Sequence, residues 1–336
     1  MLHQYIERET GLIRDETLYA DKLVKLVYSS TREYAPMLFR LAISRRMSGL
    51  LAYFNYDLKI GTLLSGNQGF LNRLGVDSRE FLDLPATLNT ARKIFERKIR
   101  YWDCRPISRH PHHVVSPADA KALFGSLRQQ SALFIKEKFF HFEELLGTDK
   151  RRWLSRFAGG DFAIFRLTPE KYHYNHSPVT GQVVDIYEID GDYHSCNPNI
   201  VVSLATPYSK NKRIVTIIDT DVPGGTGVGQ VAMVEVVALM IGDVVQQYSA
   251  HQYDAPTDKI MGRFIKAGAP KSLFRPGSST VVLLFEAGRC RFEQDLIDNM
   301  HNRDAISRFS LGFGHQLVET EVKVRSTIAS SSKHVK

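Results

Sequence analysis

From Arg105 onward the chain is interrupted at short intervals by residues that a regular helix does not tolerate. Prolines stand at 106, 111 and 117, and each lacks the N–H that a helix interior needs. Beyond them come short runs of β-branched and aromatic residues divided by Gly, Pro, Asn and Asp. They include 161–169 (DFAIFRLTP), 181–189 (GQVVDIYEI), 199–207 (NIVVSLATP), 213–221 (RIVTIIDTD), 230–245 (QVAMVEVVALMIGDVV) and 279–288 (STVVLLFEAG). Such runs predict strands. Their succession predicts an α+β fold, with a β-rich domain of mostly antiparallel strands over 105–325. Residues 1–104 read as a helical region before it. Leu23, Val24, Leu26 and Val27 recur at helical spacing, and 86–103 continues as a helix with a basic face. Residues 37–54 (MLFRLAISRRMSGLLAYF) are densely apolar yet carry Arg40, Arg45, Arg46 and no acid. That pattern fits an amphipathic helix lying on a membrane interface, and equally a helix packed on the main domain. The tail, 326–336, reads as disordered.

Hydrophobic residues make up 43% and charged residues 24% of the 336, so a packed core is available. No stretch runs 18 apolar residues without charge, which excludes an ordinary transmembrane helix. The first residues lack an apolar run behind a basic end, so no secretory signal is expected. The three cysteines are scattered (Cys104, Cys196, Cys290), which excludes a disulfide scaffold and suits a reducing compartment. The formal net charge of +8 favours an anionic partner: a membrane surface, nucleic acid or an acidic substrate.

Four segments invite chemistry. The cluster His110, His112, His113 lacks the further ligands a zinc site needs and reads as a polar loop, so no metal is expected. The glycine loop 224–229 (GGTGVG) is followed by a strand-like run rather than a helix and has no G-K-[ST] ending, so it reads as a tight turn between strands. In 157–181, His173 and His176 stand three apart, and histidine moves protons near neutral pH. In 274–285 (FRPGSSTVVLLF), hydroxyl residues stand directly before an apolar strand. Such a turn is either a plain strand entry or a place where a serine attacks the carbonyl before it. A serine hydroxyl needs a base for that, and His176 with an aspartate such as Asp119 is one arrangement.

Taken in order, these segments resemble the phosphatidylserine decarboxylase family of pyruvoyl enzymes. The resemblance spans about Tyr5 to Val324. Its pieces are Arg105-Pro106-Ile107, Val115-Ser116-Pro117-Ala118-Asp119, Ile135-Lys136, Glu144-Leu145-Leu146-Gly147, Tyr172-His173 with His176, Pro178 and Gly181, Asn211-Lys212-Arg213, and Phe274 followed by Gly277-Ser278-Ser279-Thr280-Val281. The chain departs from the family pattern at Ala120, Tyr174, Val237, Ser272 and Ser278, where the family has Gly, Arg, Gly, Gly and Gly. The resemblance implies a proenzyme that cuts itself before a serine and converts that serine to a covalent pyruvoyl group. The serine is Ser279, matching the family's Ser-Thr-Val, or Ser278 if the cut follows Gly277. Cutting before Ser279 would give a β chain, 1–278, and an α chain, 279–336. His176, oriented by Asp119, would be the base, and His173 the proton donor that quenches the carbanion after CO₂ leaves. The implied substrate is phosphatidylserine in an anionic bilayer, with the protein peripheral on the cytoplasmic side of the cell membrane, docked through 37–54. A homodimer fits the resemblance, and no nucleic acid partner is implied. A soluble amino-acid decarboxylase on the same scaffold and a non-catalytic lipid-binding relative are the alternatives.

Overall fold

The computed structural model describes residues 2–16, 76–128, 139–203, 206–238, 243–276 and 279–334. The tract 37–54 and the Gly277-Ser278 pair lie outside them. The first strands are β1 (Gln4–Glu7), β2 (Ile13–Asp15), β3 (His113–Val115), β4 (Ala120–Ser126), β5 (Asp161–Leu167) and β6 (Tyr174–His176). They are followed by β7 (Gly181–Ile189), β8 (Arg213–Asp219), β9 (Gln230–Val237), β10 (Val244–Gln246) and β11 (Phe264–Ile265). The last are β12 (Pro270–Phe274), β13 (Ser279–Phe285), β14 (Cys290–Phe292), β15 (Glu319–Val322) and β16 (Thr327–Ser331). Ten of them form one sheet in the order β11-β7-β8-β9-β13-β5-β4-β15-β1-β2. Every neighbouring pair in it is antiparallel except β1 with β15. Two three-stranded sheets, β10-β12-β6 and β14-β16-β3, complete the β structure. The mostly antiparallel α+β expectation therefore holds.

Strand β13 is the centre. All seven residues are buried, and each pairs with β9 on one side and β5 on the other. A strand buried on both faces loses the alternation of a half-exposed one, which is why STVVLLF reads as a continuous apolar run. Antiparallel partners that stand directly opposite share a face, so Ser279 and Val281 lie on the side of Val237 and Glu235. The small sheet β10-β12-β6 covers that side. Glu235, fully buried, is gripped by Lys271 Nζ at 2.7 Å, Gln246 Nε2 at 2.9 Å, Asn175 Nδ2 at 3.0 Å and the Ser272 hydroxyl. Every strand of the small sheet thus sends a polar group to one carboxylate beside β13.

The structure corrects four expectations. Residues 4–15 are not helical: they form a hairpin that joins the main sheet through β15, so the sheet takes its edge from before residue 105. Residues 86–103 are not one helix. They contain α1 (Ala91–Phe95), capped by the Thr90 side chain, and the start of α2 (Tyr101–Cys104), with Ile99 bridged to Phe81 between them. Helices this short do not stand alone; buried Ile94, Phe95 and Tyr101 hold them on the domain. Residues 199–203, expected to start a strand over 199–207, are helical instead. Helix α3 (Pro198–Ser203) occupies that stretch, with Pro198 at its first position, where the missing N–H costs nothing. Residues 326–334 are ordered: β16 pairs with β3 and β14, and Ile328 and Ala329 are fully buried. The serine-rich composition hid that apolar pair. The glycine loop 224–229 does connect two adjacent antiparallel strands, β8 and β9, with Gly224, Gly227 and Gly229 at positive φ.

A second buried polar knot ties the edge to the centre. Arg166 on β5 holds Glu319 with Nε (2.9 Å) and Nη2 (2.6 Å), and Glu16 with Nη1 (2.9 Å) and Nη2 (2.6 Å). Lys121 reaches Glu16 at 3.0 Å and His3 reaches Glu319 at 2.9 Å. Removing one partner of such a knot leaves charge buried without compensation. Arg166→Ala is expected to destabilise the protein by about 3–5 kcal/mol, read as a large fall in thermal midpoint; a shift of only a degree or two would show the knot to be weak.

Candidate active site

Residues 76–104 and 248–257 close over β6. Phe81, Leu88, Ile94, Ile99 and Tyr101 pack with Tyr172, Tyr174 and Leu273 in one apolar cluster. Beneath it lie the two histidines, both fully buried. The loop entering β6 and β6 itself are clamped from two sides. The Phe274 N–H donates to the His173 carbonyl at 3.1 Å, and the His176 N–H donates to the Pro117 carbonyl at 2.7 Å. The second bond brings β6 alongside the segment that ends in Asp119.

His176 Nδ1 lies 2.8 Å from the Gly268 carbonyl, and Nε2 lies 3.0 Å from the Tyr172 hydroxyl. Gly268 is in the left-handed region (φ +73°), and a Cβ there would lie 2.5 Å from Ile107 Cδ1. Only glycine gives both the turn and the room. Burial pushes the His176 imidazole down to about 3; the Gly268 carbonyl and the Asp119 charge pull it up, while Arg325 and Arg105 push it further down. His173 stacks on Phe95 with ring centroids 3.4 Å apart, and neither ring nitrogen has a hydrogen-bond partner of good geometry among the described residues. Burial, helped by Arg97, holds it well below the ordinary imidazole value. Both rings are therefore neutral.

Asp119 does not orient His176 by a hydrogen bond. Its carboxylate is taken by Arg105 Nη2 at 2.7 Å and Nε at 3.0 Å, and by the Val324 N–H at 2.8 Å. Burial alone would raise its carboxyl, but the Arg105 charge, the Arg105 hydrogen bonds and the Val324 N–H hold it below the usual carboxylate value. Arg105 also grips Glu80 through Nη1 (2.7 Å) and Nη2 (2.8 Å). A cavity of about 170 Å³ opens here, lined by Glu80, Arg105, Asp119, Lys171, Tyr172 and Lys323 among others.

Ser279 is the first residue of β13. Its hydroxyl is fully buried and has no hydrogen-bond partner among the described residues. A buried hydroxyl without a partner is uncommon and asks for a reason. Ser278 lies outside the described residues. The His110–His113 cluster stays a loop and strand start, with His112 Nδ1 on the Thr226 carbonyl at 2.9 Å. One His/carboxylate trio converges among the described residues, His3, Glu16 and Glu319, and Arg166 and Lys121 already occupy its carboxylates.

The structure buries His173, His176 and Asp119, and the His176 N–H bond to the Pro117 carbonyl ties β6 to the segment that ends in Asp119. It does not join His176 to Asp119. Several contributors were not singled out from the sequence. Tyr172 was in view as part of the histidine motif, but no spacing rule marks its hydroxyl. Tyr253, 77 residues from His176 along the chain, gives no local signal. Gly268 carries no mark in the sequence that sets it apart from other glycines.

A buried, unpartnered hydroxyl at the head of the central strand and two buried histidines on and before β6 are groups of the kind that proton-transfer chemistry uses. Residues 91–308 match the family model for phosphatidylserine decarboxylase. The chain is 30% identical over 299 residues to the phosphatidylserine decarboxylase proenzyme of Chlamydia trachomatis, covering 87% of this chain and 90% of that one. It is 26% identical over 301 residues to the proenzyme of Fusobacterium nucleatum (89% and 93% covered) and 27% identical over 296 residues to that of Clostridium tetani (88% and 91%). The chain belongs to the phosphatidylserine decarboxylase family.

The neutral rings make a prediction about acid stability. Where the folded state resists a proton that the unfolded chain accepts, stability falls as pH falls. For His173 and His176 that window opens below about pH 6.5, the ordinary imidazole value, and each ring contributes about 1.4 kcal/mol per pH unit. Urea unfolding of the Ser279→Ala chain between pH 7 and 4 should show this slope. His176→Gln or His173→Gln should each flatten it, and an unchanged slope in both would mean that the rings are charged when folded.

Proposed function

We propose that this protein is a carboxy-lyase that decarboxylates phosphatidylserine, after cutting its own chain before Ser279. The observation that carries the reading is the Ser279 hydroxyl, buried and without a partner among the described residues, at the head of β13 on the same face as Glu235, which β6 reaches through Asn175. In this reading His176 takes the hydroxyl proton at a ring nitrogen while Ser279 Oγ attacks the Ser278 carbonyl carbon. Asp119 assists through its charge, which favours the protonated imidazole, rather than through a hydrogen bond. His173, buried and stacked on Phe95, passes to the carbanion of the later decarboxylation a proton that it first takes up from substrate or solvent.

The residues at the head of β13 fit a pyruvoyl group. A serine supplies the oxygen that must leave Cβ, and no neighbour among the described residues competes for it. Once formed, that group would supply the electron sink for loss of CO₂. The chain's own part is to keep water out, to seat the head of β13 between β9 and β5, and to hold the two rings neutral.

Access from a bilayer is part of the proposal. No described helix is long and apolar enough to cross a membrane. A peripheral enzyme on the cytoplasmic side of the cell membrane, docked through the basic apolar tract 37–54, fits the charge of +8. Binding to anionic vesicles should weaken as salt rises.

Denaturing gels and intact-mass measurement test the cut. Wild type should give two chains, the small one beginning with a pyruvoyl-modified residue 279. Ser279→Ala should stay uncut and Ser278→Ala should cut; the reverse pattern would move the group to residue 278. His176→Ala should stay uncut, and Asp119→Asn should cut more slowly while still folding. His173→Ala should cut but lose CO₂ release from phosphatidylserine vesicles, by about 10²-fold or more. Release from free amino acids at a comparable rate would replace the phospholipid substrate by a soluble one.

A further inference from the structure

The cavity of about 170 Å³ beside Asp119 is walled by charges of both signs, and nearly all of them have partners. Arg105 holds Asp119 and Glu80. Lys171 holds Glu321, and Lys323 reaches Glu9 at 2.8 Å. Asp77 is gripped by Arg79 Nη2 at 2.8 Å. Two charged wall residues are left over, one of each sign: Arg97 and Glu170.

Arg97 follows α1 by two residues and is buried over the Phe81 ring. Its Nη1 donates to the Ile94 carbonyl and its Nη2 to the Glu170 carbonyl, each at 2.8 Å. Nε is buried and has no acceptor, and no carboxylate among the described residues pairs with the guanidinium. Carbonyls alone can satisfy such a group: the three nitrogens of buried Arg213 donate to the Leu145, Asn211 and Glu144 carbonyls. Arg97 stops one acceptor short. Burial pushes its guanidinium down to about 10; Asp119 and Glu80 pull it up, and Arg105 pushes it further down. It is therefore still a cation at neutral pH, and a buried cation without a counter-charge is costly. Glu170 is its mirror image. Oε1 accepts from the Thr168 hydroxyl, while Oε2 is buried without a donor, and no cation among the described residues pairs with it. The Glu170 carbonyl is the acceptor of Arg97 Nη2, so the two unpaired groups are neighbours.

We propose that this cavity binds a zwitterion, an α-amino-acid head group, with its oxyanion on Arg97 and its ammonium on Glu170. The choice of ligand rests on the reading of the protein as a phosphatidylserine decarboxylase. That head group carries one ammonium and two oxyanions, the carboxylate and the phosphodiester. Either is what a guanidinium grips through paired hydrogen bonds, and Arg97 has Nε and the second hydrogens of Nη1 and Nη2 to offer. The site adjoins the histidines. Tyr172 is in its wall, and the Tyr172 hydroxyl lies 3.0 Å from His176 Nε2. Burial, and after it the Arg97 charge, holds His173 unprotonated. An anion seated on Arg97 offsets that charge, so the molecule that needs a proton from His173 also favours its loading.

Titration calorimetry of the full-length Ser279→Ala chain with glycerophospho-L-serine, the soluble head group, tests the site without turnover. One saturable site is expected. On that background Arg97→Gln and Glu170→Gln should each weaken binding at least about tenfold, and Arg97→Lys, which keeps the charge but not the fork, should recover only part of the loss. Two further ligands tell the oxyanions apart. Glycerophosphoethanolamine lacks the carboxylate, and L-serine lacks the phosphodiester; the one that binds at least about tenfold more weakly names the group that Arg97 holds. Melting without ligand shows which variants fold. Should Arg97→Gln fail to fold, histidine resonances of the unsubstituted Ser279→Ala chain decide: the ligand should move those of His173 and leave those of exposed His251 in place. No saturable binding by the folded Ser279→Ala chain would overturn the proposal, as would undiminished binding by folded Arg97→Gln or Glu170→Gln, or a ligand that leaves His173 unmoved. Release of CO₂ from phosphatidylserine vesicles with an unchanged KM in Arg97→Gln would overturn the site and leave the decarboxylase reading standing. Binding that depends on Arg97 and Glu170, with no CO₂ release by wild type, would overturn that reading and leave the site.

Discussion

The seven-residue ladders on both sides of β13 are what the rest of the molecule is arranged around. The strand's first residue is Ser279, and pairing with Val237 and Leu167 fixes it as firmly as any residue of the core. A side chain at that position is aimed by main-chain pairing rather than by a local loop. His176, by contrast, ends a three-residue strand in a separate small sheet, and His173 lies just before that strand. Their distance from β13 therefore depends on how that sheet is fastened. The Glu235 carboxylate, reached from β6, β10 and β12, is the fastening.

Two different uses of charge lie inside one protein. Around Arg166 and around Glu235, opposite charges and hydrogen bonds are satisfied almost completely, and the knots join pieces of chain far apart in sequence. Around His173 and Ser279 polar atoms are buried and left without partners among the described residues. Unsatisfied groups are expensive in a folded core. Such groups also occur elsewhere in the core, at Thr216 and Thr320 for example, so at His173 and Ser279 it is the chemistry of the two side chains that sets them apart.

Much of the architecture was legible because strands buried on both faces leave long apolar runs, and because glycine clusters mark tight turns. The failures have physical causes. Pro198 begins a helix within a β-branched run, since Val and Ile are only weakly averse to helices and the proline favours a first turn. The serines of 327–331 concealed Ile328 and Ala329, which are enough to bury a short strand between two partners. At the site, residue types next to one another in sequence were readable: the His173/His176 pair, the Asp119 segment and the serine turn. Which of them touch was not. Arg105 claims Asp119 from 14 residues away and Gly268 claims His176 from 92 residues away, and nothing in a linear pattern ranks those competitors.

The interleaving of β13 and β15 within the large sheet has a consequence for the protein after cutting. A fragment starting at residue 279 would own β13, lodged between β9 and β5, and β15, lodged between β4 and β1. It would also supply β14 and β16 to the sheet that β3 completes. Such a fragment is woven in at three places and cannot leave by loosening one edge. Cutting would nevertheless turn a unimolecular folding problem into a bimolecular one, in which reassembly depends on concentration and competes with aggregation of exposed strands. The cut protein would then endure because it unfolds slowly, not because it can find its way back, and each molecule would have one opportunity to assemble its site: before the chain is broken.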